Sequence, residues 1–241
     1  MTSFFSSILP NFLKLKPGNF AAPREIRQMT AAEQSATDAF HRAYYESWTT
    51  GRRTIDLSWF GYQTLKCPLD LWIYQEIIVE TQPELIIECG TNAGGSALYL
   101  ASICDLAGTG QVITIDIEAR PDRPKHKRIQ YITGSSTDPR IVATVRGKAA
   151  GRRTLVILDS DHSKAHVLAE LRAYHDMVPI GCYLIVEDTN VNGHPAFPSF
   201  GPGPMEALRE FLTSTNAFQI DRDRERLMMT LNPSGYLKRV A

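Results

Sequence analysis

The rhythm of apolar and polar positions changes at Pro83. Beyond it, short apolar runs alternate with stretches whose apolar residues recur at helical spacing. ELIIEC (84–89), QVITID (111–116), RIQYIT (128–133), TLVILD (154–159) and CYLIVED (182–188) read as strands. GGSALYLASIC (94–104), residues 138–147, AHVLAELRAYHDMV (165–178) and PMEALREFLT (204–213) read as helices. FQIDRDRERLMMTL (218–231) reads as two strands about a charged turn, with Arg222, Arg224 and Arg226 solvated there. Strands alternating with helices predict an α/β, doubly wound, Rossmann-like sheet with at least five parallel strands and an antiparallel hairpin at one edge.

Ahead of Pro83 the pattern is helical. Residues 30–48 predict a helix capped by Thr30, with Glu33 completing a capping box. A second helix is expected from Asp70 to Thr81, with Asp70 as its cap. Residues 1 to about 24 look irregular. The expected organisation is an N-terminal helical cap over 1–82 and a ligand-binding domain over 83–241.

Composition narrows the class. The 241 residues carry 26 Lys+Arg against 26 Asp+Glu, which disfavours nucleic acid held by bulk positive charge. No apolar run approaches the roughly 20 residues a spanning helix needs, so no membrane partner is expected. The opening MTSFFSSILPNFLKLKPG reads as an amphipathic tail, not a cleaved signal. Cys67, Cys89, Cys104 and Cys182 lack metal-type spacing, and a reduced, cytoplasmic protein is expected.

The unusual residues fall at predicted strand ends, where such sheets bind ligands. The first strand runs into Glu88, Cys89, Gly90, Thr91, Asn92, Ala93, Gly94, Gly95 and Ser96. This GxxxGG turn is neither a dinucleotide fingerprint nor a phosphate-cradling loop. Asp116 ends the next strand, 28 residues after Glu88, where an acid can accept both ribose hydroxyls of a nucleoside. Gly134, Ser135 and Ser136 end the third and can flank an adenine. Together they point to an adenosine cofactor. S-adenosylmethionine, which has no phosphate, suits the turn better than NAD.

The fourth strand ends at Asp159, followed by Asp161 and His162, and the fifth at Glu187 and Asp188. Adjacent parallel strands bring these ends together. Three carboxylates in one small space repel unless a cation sits among them. Oxygen donors favour a hard divalent ion, with Mg²⁺ the best fit. His162 beside them is open to three roles: ligand, general base or structural residue. His166 and His175 are expected to be mainly structural. Methyl transfer from a sulfonium to oxygen would use these parts, with Mg²⁺ fixing the acceptor and His162 taking its proton.

At these residues the chain resembles the cephalosporin hydroxylase/rhamnosyl O-methyltransferase group, related to macrocin-type sugar O-methyltransferases. The similarity runs through WFGYQTLKCPLDLWIYQEII (59–78), IIECGTNAGGSALYLA (86–101), ITIDIE (113–118), ITGSS (132–136), LDSDH (158–162), VEDTNVNGHP (186–195), FGPGPMEAL (200–208) and NPSGYLKR (232–239). The resemblance implies a class I methyltransferase sheet of seven strands, the last antiparallel. It implies that residues Gly90 to Ser96 and Asp116 hold S-adenosylmethionine, with Ser135 near the adenine. It implies Mg²⁺ at Asp159, Glu187 and Asp188, and His162 as base three residues after the first metal acid. It does not imply hydroxylation, because no two-His, one-carboxylate iron set is present.

The acceptor side is less defined. Trp59, Phe60, Tyr62 and Trp72 are candidates for an apolar wall, Lys66 for a contact to the cofactor carboxylate, and His194 for an acceptor contact. The Gly/Pro-rich loop 190–204 follows the metal acids and has the length of a lid. The expected partner is a small hydroxylated molecule, a sugar or natural-product scaffold, and a homo-oligomer is compatible with the sequence. Two rivals on the same fold are a nicotinamide-dependent oxidoreductase and a non-catalytic sensor of an adenosine ligand.

Overall fold

A computed structural model describes residues 28–51 and 57–241 of the chain. The N-terminal tail and Arg52–Arg53 lie outside the described residues. In chain order the elements are α1 (Ala31–Tyr45), the short strands β1 (Ser58–Trp59) and β2 (Tyr62–Gln63), α2 (Pro68–Thr81), β3 (Leu85–Cys89) and α3 (Gly95–Ala107). There follow β4 (Gln111–Asp116), β5 (Ile129–Thr133), α4 (Pro139–Ala149), β6 (Thr154–Leu158), α5 (Lys164–Tyr174), β7 (Tyr183–Val186), α6 (Pro204–Thr213), β8 (Phe218–Ile220) and β9 (Tyr236–Arg239).

Seven strands form one sheet in the order β5-β4-β3-β6-β7-β9-β8. β3 to β7 pair in parallel, and β9 runs antiparallel between β7 and β8. The central strands are apolar runs because both faces are covered. Ile86, Val112, Leu155, Ile157 and Ile185 pack under α2 and α3, against Ile73, Ile77 and Leu100. Their neighbours Leu85, Ile87, Ile113, Val156 and Leu184 pack on the other face, against Val145, Leu171, Leu208 and Phe211 of α4, α5 and α6.

The capping box of α1 forms as the sequence predicts: the Glu33 amide donates to Thr30 Oγ1, and the Thr30 amide to the Glu33 carboxylate. Two expectations are corrected. Asp70 does not cap α2, whose N-cap is Cys67. It is buried instead as an acceptor for the Thr230 hydroxyl, the Leu231 amide (2.9 Å) and the Tyr236 hydroxyl (2.8 Å). This ties α2 to the chain leading into β9.

Nor does 218–231 form a hairpin. After β8 the chain makes a 3₁₀ turn at Arg222–Glu225, and the antiparallel partner is β9. The turn is not solvated throughout. Arg224 is 7% exposed, held by Glu80, Asp221 and the Tyr183 hydroxyl. A buried guanidinium with two carboxylates costs less than a bare one, so it draws the turn onto the sheet edge. All four cysteines are buried and unpaired. Among the described residues no helix is long and apolar enough to cross a membrane.

Candidate active site

From β3 the chain winds one way through β4 to β5 and then the other way through β6 and β7. That reversal opens a crevice at the carboxyl ends of β3 and β6. Here the two strand ends approach so closely that only glycine fits at position 90. Its φ is +97°, and a Cβ there would lie 1.8 Å from the Asp159 carbonyl oxygen. Gly95 serves packing: a Cβ would meet the Gln63 carbonyl at 2.2 Å, so α3 starts hard against β2.

A cavity of about 570 Å³ fills the crevice. Of the predicted cofactor residues, Gly90, Thr91, Asn92, Ser96, Asp116, Ser135 and Asp159 line it. Asp116 Oδ2 accepts from the amides of Thr91 (3.0 Å) and Asn92 (2.7 Å), so the acid that ends β4 shapes the glycine turn. Glu88, Gly94 and Gly95 are not in the lining. Glu88 lies beneath the turn, where its Oε2 accepts from Thr114 Oγ1 at 2.6 Å and burial raises its pKa.

Asp159, His162 and Asp188 also line the cavity. One ligand atom from each lies within 4.8 Å of the other two. His162 Nε2 is 3.3 Å from Asp159 Oδ1, and its Nδ1 is 3.4 Å from Asp188 Oδ2. Asp188 sits at φ +53°, a left-handed conformation that a non-glycine residue adopts at some cost and that concentrates at functional sites. Its amide donates to Asn232 Oδ1 (3.1 Å), and the Thr189 hydroxyl to the Pro233 carbonyl (2.7 Å). The loop before β9 thus fixes the acids that follow β7.

Glu187 is buried, and its carboxylate turns to Lys66, whose Nζ also contacts Asp159 Oδ2. Burial works against the Lys66 charge, but Asp159 and then Glu187 outweigh it and raise its pKa. Asp159 is held low because Lys66 and His162 together outweigh its own burial. Burial, then the Asp159 charge, lifts Glu187 to about 8. Against its burial, Asp188 and then Asp159 raise His162 to about 9.

The acceptor-side candidates are not brought to the cavity. Trp59 packs edge-on against Tyr99 and donates to Ser102 Oγ (3.2 Å). Tyr62 and Lys66 do not line it, and Phe60 and Trp72 are exposed. His194 pairs with Glu206 at 2.8 Å, which joins the 190–203 loop to the start of α6. The Gly203 amide and His194 hold Glu206 down to about 2 despite the cost of its burial.

Tyr45, which the sequence did not single out, and His166, expected to be mainly structural, do line the cavity. Tyr45 ends α1 and meets Phe197 of the loop edge-on at 5.6 Å, while the Phe197 amide donates to Glu46 (2.8 Å). His166 Nε2 lies 3.2 Å from Ser136 Oγ. The predicted start of the following helix at 165 could have placed His166 near the crevice, in the first turn of α5. Nothing in the sequence could have placed Tyr45, since its position depends on how α1 docks.

The sheet order, the glycine turn at the reversal and the acids at the strand ends define a protein of the class I methyltransferase fold. Comparison with known proteins gives the family. The model described as Rhamnosyl O-methyltransferase/CmcI matches residues 52–240. The Rhamnosyl O-methyltransferase of Mycobacterium tuberculosis (strain ATCC 25618 / H37Rv) is 37% identical over 214 residues, 85% of each chain. That of Mycobacterium leprae (strain TN) is 38% identical over 183 residues, 73% of this chain and 78% of its own. An apo structure of CmcI aligns with TM-score 0.62 at 23% identity, covering 82% of this chain and 84% of that one. A CmcI structure with Mg and SAM aligns with TM-score 0.60 at 19% identity, covering 95% and 90%. The chain belongs to the Rhamnosyl O-methyltransferase/CmcI family.

Proposed function

We propose that this protein, an S-adenosylmethionine-dependent O-methyltransferase by family, methylates a sugar hydroxyl, of rhamnosyl type, at a centre that takes a divalent cation. The observation that carries this reading is the convergence of Asp159, His162 and Asp188 in the same cavity that the glycine turn lines. The acceptor class rests on the relatives, which are Rhamnosyl O-methyltransferases.

On this reading Gly90 to Asn92, Ser96 and Ser135 cradle the cofactor, and Asp116 faces its ribose. The donor set fits a hard ion: three carboxylates at two adjacent strand ends, two of them clustered with His162 within 4.8 Å. Asp159 and Asp188 would hold it, with Glu187 beside them. A divalent ion held there would supply Lewis acidity toward the acceptor hydroxyl and positive charge to offset the carboxylates that keep His162 protonated. His162, 3.3 Å from Asp159, takes the hydroxyl proton. The acceptor oxygen would attack the methyl carbon of the sulfonium, so that a C–O bond forms as the C–S bond breaks and the sulfur leaves with the electron pair as a neutral thioether. Holding the two reactants in line contributes up to about 7–11 kcal/mol in favourable cases. Residues 83–241 carry the cofactor, and α1 brings Tyr45 to the acceptor side.

Calorimetric titration tests the cofactor assignment. S-adenosylmethionine should bind one to one with Mg²⁺ present, and NAD should not. Asp159→Ala should keep cofactor binding and lose methyl transfer. Binding of NAD in place of S-adenosylmethionine would overturn the proposal.

A further inference from the structure

Lys66 is 3% exposed, and its ammonium has nowhere to reach water. It stands two residues before α2, after Leu65 at φ +43° turns the chain so that Leu65 faces the cavity and Lys66 the interior. A buried ammonium needs partners. Lys66 has two, and both are acids at the metal centre: Asp159 Oδ2, and Glu187 Oε1 at 2.6 Å. Because it lies outside the cavity lining, it is not placed to meet a cofactor carboxylate.

Charge makes the arrangement informative. Asp159, Glu187 and Asp188 bring three carboxyl groups to two neighbouring strand ends, and a bound divalent ion would draw all three to the charged form. Glu88, the fourth acid of the region, accepts from Thr114 through Oε2 and acts on Lys66 less than Asp159 and Glu187 do. With His162 neutral, as its role as base requires, one divalent ion leaves one of the three carboxylates uncompensated, and an uncompensated charge inside a protein is costly. Lys66 supplies the missing positive charge, and supplies it from the side away from the cavity. Its contact is with Asp159 Oδ2, whereas Asp159 Oδ1 faces His162.

We propose that Lys66 is a positioning residue of the metal centre: a built-in counter-cation that fixes Asp159 and Glu187 and sets the site's charge to match one divalent ion. The inference rests on the divalent-cation reading given above. It moves Lys66 from the acceptor side, where the sequence placed it, to the back of the acid cluster.

The experiment compares wild type with K66M, E187Q and K66M/E187Q, titrated separately with Mg²⁺ and Tb³⁺ by calorimetry and melted with and without each ion. K66M removes the charge at similar length. Expected for K66M are a lower melting temperature without metal, a larger rise on adding Mg²⁺ than wild type shows, and a preference for Tb³⁺ over Mg²⁺ increased about tenfold. Adding E187Q to K66M should recover part of the lost stability, because the carboxylate left alone is gone. If K66M does not fold without ions, E187Q against K66M/E187Q carries the same comparison, and loss of Lys66 should again raise the Tb³⁺ preference. An unchanged ion preference in both backgrounds would overturn the assignment of Lys66. No divalent binding by wild type would instead remove the metal reading, and this inference with it.

Discussion

Gly90 shows how single atoms fix the crevice. A Cβ would sit 1.8 Å from a backbone oxygen of Asp159, and backbone cannot move aside as a flexible side chain can. The left-handed φ of +97° adds its own penalty for any L-residue. Gly90→Ala is therefore expected to cost about 3 kcal/mol or more and to push the Asp159 carboxylate out of its cluster. Urea denaturation checks the stability, and a Mg²⁺ titration checks the displacement. A loss within ~0.5 kcal/mol would show that the two strand ends can part freely. At this scale the site was legible where residue type and strand end coincide. Gly90, Thr91, Asn92, Ser96, Asp116, Ser135, Asp159, His162 and Asp188 all line the cavity. It was not legible for Trp59, Tyr62, Lys66 and His194. Those side chains turn on how irregular segments pack, and no periodicity encodes that.

Among the elements, α1 is tied to the loop after β7 through His41 and Tyr45. His41 is buried, with its Nε2 2.9 Å from Asn190 Nδ2, so the neutral ring accepts there. Burial lowers its pKa to about 4. The sign follows from linkage: the unfolded chain, with an ordinary histidine, binds the proton more readily than the folded one. Stability from this group is complete above about pH 6.5 and is lost as pH falls toward 4. Wild type should lose about 2 kcal/mol more than His41→Gln between pH 7 and 4.5, measured by denaturant unfolding. Equal losses would mean that the ring is reached by water.

The same scale shows where patterns mislead. Thr30 and Glu33 cap α1 through local chemistry, which a sequence displays. Asp70 and Arg224 looked local and are not. Each is claimed by residues far along the chain, Asp70 by Thr230, Leu231 and Tyr236, Arg224 by Glu80 and Tyr183. Those claims abolish a predicted cap and a predicted hairpin.

Across the whole molecule, zero formal charge conceals a strong arrangement. Asp116, Asp159, Glu187 and Asp188 gather along the carboxyl edge of a parallel sheet, with Lys66 behind them. The sheet itself was readable, since both-face burial leaves short, mainly apolar runs in β3, β4, β6 and β7. The place of β9 was not, because a strand inserted between β7 and β8 pairs with segments distant in sequence. Such an acidic edge suits a sulfonium cofactor and a divalent ion.

The most direct test is transfer of a labelled methyl group from S-adenosylmethionine to a rhamnosyl glycoside, run with Mg²⁺ and with EDTA. The account predicts a methyl ether on a sugar hydroxyl with Mg²⁺ present and its loss in EDTA. Equal transfer in EDTA, or no methyl ether from a protein that binds both cofactor and Mg²⁺, would contradict it.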